Sequence, residues 1–427
     1  MTEVGWILMG SFAVFLFGGI PIVFALGVAA SIGLWYSDID LMVAVQRTIS
    51  GTQSFSLLAV PGFILAGELM YRGGLSRRLI RMCYSLVARF HGGLGMVVVL
   101  SATFFAAISG SAPATTAAIG KIMIPEMKKR GYKRSYATAL ATASGPIGQM
   151  IPPSIPMIVW GVISETSITR LFLAGIVPGI LIALGLMLLC YIKDFLAKKK
   201  LANLSIDYAE VRAAFKDGLW ALMAPVIILG GIYGGIFTPT EASAIGVAYG
   251  LIVGMFIYRE LSWSELPEVI LTAMKTTTVV IFVIATASIF GWLVTMEDLP
   301  NAIAQAFFGV SENPIIILLM INALLLFIGA VMDNIAAMLI LGTVLTSLGH
   351  QLGLDPTHLG AIVVINFAVG MATPPFGYSL FVGAAISGIS VEKISVALWP
   401  MLLVQIVVLL LLTFIPSITL FLPNLLL

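Results

Sequence analysis

Long apolar stretches, interrupted by short polar breaks, follow one another along the whole chain. About 20 apolar residues in a helix are enough to cross the hydrocarbon core of a membrane. The pattern predicts an all-α polytopic membrane protein, although several stretches are too short or too interrupted to cross simply. The predicted membrane segments are 5–35, 55–71, 76–90, 93–108, 112–127, 135–163, 169–197, 219–236, 241–259, 275–296, 314–330, 334–349, 357–387 and 400–422.

The first segment, from Val4 to Trp35, is predicted to be one helix retained in the mature protein, because it is far longer than the core of a signal peptide. Two other stretches, 198–217 and 262–274, have an amphipathic pattern. They are predicted to lie along the membrane surface, and 198–217 is the natural boundary between two halves of the chain.

Residues that break or bend helices recur at a constant offset of 222 positions. Because the shared residues are Gly and Pro with one Phe, the repeated property is mainly backbone geometry. Repeated broken helices are typical of secondary transporters. The aligned pairs are Phe105 with Phe327, Gly120 with Gly342, Gly148 with Gly370, Pro152 and Pro153 with Pro374 and Pro375, Gly161 with Gly383, and Pro178 with Pro400.

The charges beside the two repeats predict opposite orientations. Basic residues flank the first short hairpin at both ends, from Arg89 before it to Arg134 after it, so both ends are predicted to be cytoplasmic. Acidic residues dominate the flanks of the second hairpin, which carries no Lys or Arg between Lys275 and Lys393. Two re-entrant hairpins entering from opposite sides form an inverted-topology repeat. The alternative is that each arm spans the membrane fully and the charge asymmetry is accidental.

The first repeat offers oxygen ligands at two places. Its hairpin turns at Ser109-Gly110-Ser111, and the later segment 135–163 is interrupted at 144–154 by two Gly and three Pro. Non-helical backbone at membrane depth is tolerated only where protein or a water-filled cavity satisfies it. The freed carbonyls, together with the hydroxyls of Ser109, Ser111 and Ser144, would suit a small cation such as Na⁺. A proline kink packed against small residues is the alternative.

The second repeat places a carboxylate at the matching turn. Asp333 aligns with Ser111, and Asn366 aligns with Ser144. An intramembrane carboxylate is costly, so Asp333 is a candidate ligand for a cation or for substrate hydroxyls, while a helix N-cap role is the compatible alternative. Thr373, in the second break, is a further candidate ligand, unless its hydroxyl only bonds back to its own helix.

Composition excludes other classes of protein. The 427 residues are 60% hydrophobic and 10% charged, and their net charge of +2 gives no reason to expect nucleic-acid binding. Cys83 and Cys190 are predicted to be buried small hydrophobic residues. The three histidines belong to no catalytic or metal-binding arrangement, so an enzyme is not expected.

Six motifs resemble the large membrane subunit of tripartite ATP-independent periplasmic (TRAP) transporters. The resemblance spans nearly the whole chain. It implies a multi-pass protein of the bacterial inner membrane, an elevator mechanism, and sodium co-transport. It also implies two partners, a small four-helix Q-type membrane subunit and a P-type periplasmic substrate-binding protein. The motifs are PGFILAGELM, SGSAPATTAAIG, GPIGQMIPPSIPMIVWG, TPTEASAIG, MDNIAAMLILG and GMATPPFGYSLFVGAAI.

The same resemblance implies the position of the sites. Each sodium region pairs one hairpin turn with one helix break, and the substrate lies between the two turns. The implied sodium ligands are Ser109, Gly110, Ser111, Ser144, Gly145, Gly148, Ile151, Pro152, Gly329, Asp333, Asn366, Gly370, Ala372 and Thr373. The implied substrate-binding residues are Ser109, Ser111, Ser154, Asp333, Asn334 and Thr373.

The resemblance also implies a division into moving and fixed parts. The transport domain would comprise 89–168 and 313–390, each with one hairpin and one broken helix. The scaffold would comprise 1–88, 169–312 with its interfacial linkers, and the C-terminal helix 391–427.

Family substrates are mostly organic carboxylates, including C4-dicarboxylates and sialic acid. Because neither hairpin turn carries an obvious Arg, a monocarboxylate is slightly favoured, with N-acetylneuraminate as the first expectation. A stand-alone sodium- or proton-coupled anion carrier without a binding protein is the main alternative. An anion channel would need a continuous pore rather than two gated hairpins.

Overall fold

A computed structural model describes residues 2–197 and 208–427. The first eleven α-helices are α1 (Glu3–Phe17), α2 (Ile22–Tyr36), α3 (Met42–Thr52), α4 (Ala59–Arg72), α5 (Leu75–Val87), α6 (Gly93–Ser109), α7 (Ala112–Lys129), α8 (Arg134–Ser144), α9 (Ile147–Met150), α10 (Ile155–Ile163) and α11 (Ile168–Leu196). The others are α12 (Tyr208–Tyr233), α13 (Pro239–Ile252), α14 (Leu266–Met296), α15 (Leu299–Val310), α16 (Pro314–Val331), α17 (Asn334–Gln351), α18 (Pro356–Gly370), α19 (Tyr378–Ser387), α20 (Val391–Phe414) and α21 (Pro416–Leu426). A 3₁₀ turn (Phe55–Leu58) precedes α4, and a π-helical turn (Val253–Ile257) extends α13.

The predicted all-α membrane fold is confirmed. In the described residues, seven helical segments are long and apolar enough to cross a membrane. An eighth candidate is a bent pair, Arg134–Met150 with Ile155–Ile163, whose two parts meet at 44°. The bend falls at the break predicted between residues 144 and 154.

The prediction of one helix over 5–35 is wrong. The chain leaves α1 at Gly18 and enters α2 after Pro21, and the two helices pack against each other. Gly19 has φ +81°, which a residue with a Cβ adopts only at a cost. The Gly-Gly-Ile-Pro sequence at 18–21 is typical of a turn between two helices. The turn was not predicted because the residues on both sides of it are apolar.

The two predicted surface helices are also wrong in the part that the structure describes. Residues 208–217 begin α12, which continues to Tyr233, and α14 runs unbroken from Leu266 to Met296. The polar faces of these first turns carry ion pairs to α4 and α5, where Glu210 pairs with Arg81. Glu268 likewise pairs with Arg72. Residues 198–207 lie outside the described residues.

Three further helices were not predicted as separate elements. The short helices α3 and α15 lie in sequence between predicted membrane segments. The C-terminal segment 400–422, predicted as one helix, divides at Ile415 into α20 and α21, because Pro416 offers no N–H to continue the ladder.

The two repeats meet around a shared centre. Hairpin α6–α7 belongs with the broken helix α8–α10, and hairpin α16–α17 belongs with the broken helix α18–α19. Gln149 Nε2 donates to Met371 Sδ at 3.4 Å, and these residues are 222 positions apart. Two positions equivalent in the repeat therefore touch, which is the arrangement that a pseudo-twofold axis between the repeats produces.

Helices outside the repeats surround them. Two long helices pack on the broken helices. Helix α11 contacts α9 and α18, whereas α20 contacts α8 and α18. Helix α14 packs against α2, α4 and α17. The division into a moving transport domain and a fixed scaffold stays a prediction.

An ion-pair cluster on α5 joins this helix to α12 and to the segment that follows the π-helical turn. Arg78 Nε lies 3.1 Å from Asp217 Oδ1, Arg78 Nη1 lies 2.6 Å from Glu260 Oε1, and the guanidinium stacks 3.6 Å from the ring centroid of Tyr258. The Arg78 side chain is only 16% exposed. Its neighbour Arg77 is 73% exposed and makes one 3.5 Å contact with Glu260.

Replacing Arg78 with Ala is therefore expected to destabilise the protein by about 1–3 kcal/mol, because it removes the buried guanidinium that bridges Asp217 and Glu260 and leaves these carboxylates only their more exposed partners, Arg81 and Arg77. Arg77→Ala is the matched control and should change stability by less than about 0.5 kcal/mol. Thermal unfolding of the detergent-solubilised protein measures both. Equal melting temperatures for the two variants would contradict the assignment.

Candidate functional site

A cavity of about 660 Å³ lies between the two hairpin turns. The first hairpin contributes Gly110, Ser111 and Pro113, and the second contributes the run 331–335. The opposite wall comes from the start of α2, from Ile64 on α4 and from one face of α14. The volume is typical of sites for small organic ligands.

The first turn is fixed by its contact with the neighbouring break. Gly110 has φ +60°, and a Cβ added there would lie 2.5 Å from the carbonyl oxygen of Pro153. The N–H of Ile155 donates to the Gly110 carbonyl at 3.3 Å. Ser109 Oγ shares a 2.8 Å hydrogen bond with Thr115 Oγ1, and Ser111 Oγ caps α7 by accepting from the N–H of Ala114.

Carbonyl and hydroxyl oxygens surround the first break. A Cβ on Gly148 would lie 2.7 Å from the Ser111 carbonyl oxygen, and one on Gly145 would lie 2.9 Å from the Ala112 carbonyl oxygen. Thr116 Oγ1 adjoins Gly145, is buried and has no hydrogen-bond partner among the described residues. Oxygen atoms of this kind fit a hard cation such as Na⁺.

The second turn presents a carboxylate that also caps a helix. Asp333 Oδ1 accepts hydrogen bonds from the N–H groups of Ile335 at 3.0 Å and Ala336 at 3.4 Å. Asp333 is also exposed to the cavity. The N-cap alternative and the ligand role are thus compatible in space. Asn334 Nδ2 donates to Gln149 Oε1 at 2.9 Å, which ties the second turn to the first break.

The second turn and second break approach each other closely at two glycines. A Cβ on Gly370 would lie 2.8 Å from both Cα and C of Gly329. Ala372 is fully buried beside this contact. The geometry repeats the close approach of turn and break seen in the first half.

Four predicted side-chain ligands bond elsewhere. Ser144 Oγ donates to the Leu140 carbonyl and Thr373 Oγ1 to the Val369 carbonyl, so both bond back to their own helices. Ser154 Oγ donates to the Gln149 carbonyl at 2.6 Å. Asn366 Nδ2 donates to Asn322 Oδ1 at 2.6 Å in a buried cluster between α16, α18 and α20.

Two other predicted ligands are buried at the first break. Ile151 follows α9, and the Pro152–Pro153 peptide bond is cis, as is its repeat equivalent Pro374–Pro375. Ser144, Ile151, Pro152, Ser154, Asn366 and Thr373 do not belong to the cavity wall. Their roles as ligands stay predictions.

The structure adds Gln149 and Lys275 to the candidate site. In the sequence, Lys275 marks only the start of a long stretch without Lys or Arg, and it is the first residue of the predicted segment 275–296. The continuous helix α14 places it in the cavity wall instead. Gln149 has no signal in the sequence beyond being a polar residue within the Gly- and Pro-rich first break.

The described residues contain no cluster of side chains of the kind that binds a transition metal. Within 2–197 and 208–427, no group of three or more His, Cys, Asp or Glu side chains is placed to hold a metal ion. The candidate cation ligands are therefore neutral oxygens together with Asp333.

Comparison with known proteins shows the family of this chain. Residues 9–418 match the family model described as the tripartite ATP-independent periplasmic transporter, DctM component. The chain belongs to this family. The resemblance to TRAP large subunits is thereby confirmed, and this DctM-family permease is a multi-pass protein of the bacterial inner membrane.

Three relatives carry different substrates in their names. The isethionate TRAP transporter permease protein DctMQ of Oleidesulfovibrio alaskensis is 42% identical over 97% of this chain, which spans only 66% of that relative. The C4-dicarboxylate permease DctM of Pseudomonas aeruginosa is 39% identical over 92% of this chain and 91% of its own length. The sialic acid permease SiaM of Vibrio cholerae is 36% identical over 96% of each chain. All three are named as permeases, which agrees with a transporter rather than an enzyme.

A solved structure shares the fold of the DctM-family permease. The YdaH transporter of Alcanivorax borkumensis superposes with a TM-score of 0.66 at 16% sequence identity, covering 95% of this chain and 97% of its own. This likeness concerns the fold alone.

Gly370→Ala is expected to destabilise the permease by about 1–3 kcal/mol, because the added methyl group meets backbone atoms of Gly329 that cannot rotate away. Gly309→Ala is the control, since nothing lies within 4 Å of a Cβ at that helical position. Thermal unfolding compares the two. A Gly370→Ala protein as stable as the control would show that the second turn and break are not in close contact.

Proposed function

We propose that the permease performs sodium-coupled uptake of an organic carboxylate by an elevator mechanism. The observation that supports this most is the cavity between the turns of two repeated hairpins. Substrate sites at the interface of repeats, formed by discontinuous helices, are typical of secondary transporters. In an elevator, both hairpins with their broken helices would slide together against the surrounding helices.

Sodium coupling is supported by the oxygens beside the cavity. The carbonyls of Ser111 and Ala112 and the unpartnered hydroxyl of Thr116 lie beside the first break, and Asp333 lies at the second turn. Ions bound there would stabilise both turns in the geometry that the substrate requires. Substrate affinity would then depend on sodium, which is the coupling that transport against a gradient needs.

The proposed partners follow from family membership. A small Q-type membrane subunit would assemble with the permease, and a periplasmic P-type binding protein would deliver the substrate. These partners are implied by the architecture of TRAP systems, and the uptake experiment tests them.

N-acetylneuraminate remains the first candidate substrate, with a C4-dicarboxylate as the second. The relatives named for sialic acid, C4-dicarboxylate and isethionate have similar identities to this chain, so identity does not choose among them. Lys275 in the cavity wall also weakens the argument for a monocarboxylate from the lack of Arg at the turns.

The decisive experiment reconstitutes the permease with its small subunit in liposomes. Uptake of labelled N-acetylneuraminate is measured with and without an inward sodium gradient and with and without the binding protein. Uptake that needs both supports the proposal. Uptake of free substrate without the binding protein indicates the stand-alone carrier, and failure with N-acetylneuraminate but sodium-driven uptake of succinate indicates a dicarboxylate system.

Asp333→Asn isolates the charge at the second turn, because Asn caps a helix as well as Asp does. We expect uptake to fall at least about tenfold, corresponding to about 1.4 kcal/mol of lost ligand interaction. Asp355→Asn is a matched control, since Asp355 Oδ1 caps α18 through the N–H groups of Thr357 and His358 outside the cavity. Full uptake by Asp333→Asn would remove this carboxylate from the mechanism.

A further inference from the structure

The wall of the cavity opposite the hairpin turns has one positively charged side chain, that of Lys275. The face of α14 that lines the cavity consists of Lys275, Thr276, Val279, Val280 and Val283. These positions follow helical spacing, so they form one continuous stripe facing the turns. The lysine is thus the sole charged group on an otherwise apolar and hydroxyl-bearing stripe.

Lys275 is far from the start of its helix and from any acidic partner. It lies nine residues after Leu266, or about 14 Å along the axis of α14. Among the described residues, no carboxylate lies within 4 Å of its ammonium group. The acidic residues near the start of α14 and on α4, Glu268 and Glu68, pair with Arg72 instead.

An ammonium group within a membrane segment is costly unless it is paired or lines a water-filled cavity, and such a residue marks a substrate or ion pathway. Snorkelling to the membrane surface is the other common solution. Here Lys275 reaches the cavity that the two hairpin turns also form, so a pathway role fits the observed position.

The remaining charges in the cavity leave room for an anion. Lys275 and Asp333 are the two charged residues of the cavity wall within the described chain. Asp333 is engaged at the positive end of the α17 dipole, where its Oδ1 accepts two N–H groups. The start of α7 is capped only by the neutral Ser111, so its positive end also faces the cavity uncompensated.

We propose that Lys275 binds the anionic group of the transported substrate, a carboxylate in N-acetylneuraminate or succinate and a sulfonate in isethionate, between α14 and the N-terminus of α7. This inference rests on the proposed function and adds the residue that recognises the charge of the substrate. Because α14 lies outside the repeats, a substrate held by Lys275 would lose this contact if the hairpins moved away. The contact would then contribute to affinity in the conformation described here and not in the alternative one.

Binding is tested apart from transport by cysteine protection. Thr276→Cys places a thiol beside Lys275, while the native Cys83 and Cys190 are buried. The complex of this variant with the small subunit is alkylated with N-ethylmaleimide in sodium buffer. N-acetylneuraminate, succinate and isethionate are the protecting anions, and the methyl ester of N-acetylneuraminate is the uncharged probe. Val279→Cys offers a second thiol on the same stripe if Thr276→Cys does not fold.

With Lys275 intact, we expect at least one of the three anions to slow the alkylation. Adding Lys275→Gln should raise the half-protecting concentration about tenfold or more, and Lys275→Arg should restore most of the protection. Protection by the methyl ester should be equally weak with and without Lys275→Gln. Lys393→Gln, at an exposed lysine outside the cavity, should change nothing.

The outcomes separate the two proposals. Unchanged protection after Lys275→Gln, or an equal loss for the anion and its methyl ester, would overturn the role of Lys275 while leaving sodium-driven uptake intact. The absence of protection by all three anions, in a permease that takes one of them up, would place the anion elsewhere. A permease that takes up none of them would refute the proposed function and this inference together.

Discussion

Backbone that leaves a helix inside a membrane has to find partners for its N–H and C=O groups, since lipid supplies none. Both repeats place a hairpin turn against a helix break, and in the first repeat a backbone hydrogen bond crosses this contact. In the first half the Gly110 carbonyl accepts the N–H of Ile155, and in the second half Gly329 and Gly370 meet without side chains between them. The small residues at these contacts are required by the closeness of the two backbones.

The same constraint creates the site. The contacts between turns and breaks leave some polar atoms without a hydrogen-bond partner within the described protein. These atoms face the cavity or the breaks. Thr116 Oγ1 has no partner in the described chain, and the Asp333 residue is exposed to the cavity. Gln149 joins the halves by accepting from Asn334 and donating to Met371. These two bonds give a direct contact between the repeats, through which the proposed dependence of substrate affinity on sodium would act.

The sequence predicted the repeated features well because they depend on local backbone chemistry. Gly and Pro at a fixed offset predicted both breaks and both hairpins, and Asp333 was a candidate because a carboxylate is rare at membrane depth. The sequence predicted less where tertiary contacts decide. The polar starts of α12 and α14 resembled surface helices, yet they are the first turns of long helices and pair with Arg81 and Arg72.

Lys275 and Gln149 are the two site residues that the sequence did not predict. The place of Lys275 in the cavity depends on α14 being continuous, and the role of Gln149 depends on which residue of the other repeat lies opposite. Neither the place of Lys275 nor the role of Gln149 can be predicted from the spacing of residues in the sequence. Ser144 and Thr373 show the converse, because suitable hydroxyls in suitable segments bond back to their own helices.

The central claim is that sodium binds where the turns meet the breaks, and a sodium titration of thermal stability tests it most directly. A ligand that binds only the folded state stabilises it by RT ln(1 + [L]/Kd). The account predicts that the melting temperature of the purified permease complex rises saturably with Na⁺ when K⁺ keeps the ionic strength constant. Equal melting temperatures in Na⁺ and K⁺ at every concentration would contradict it.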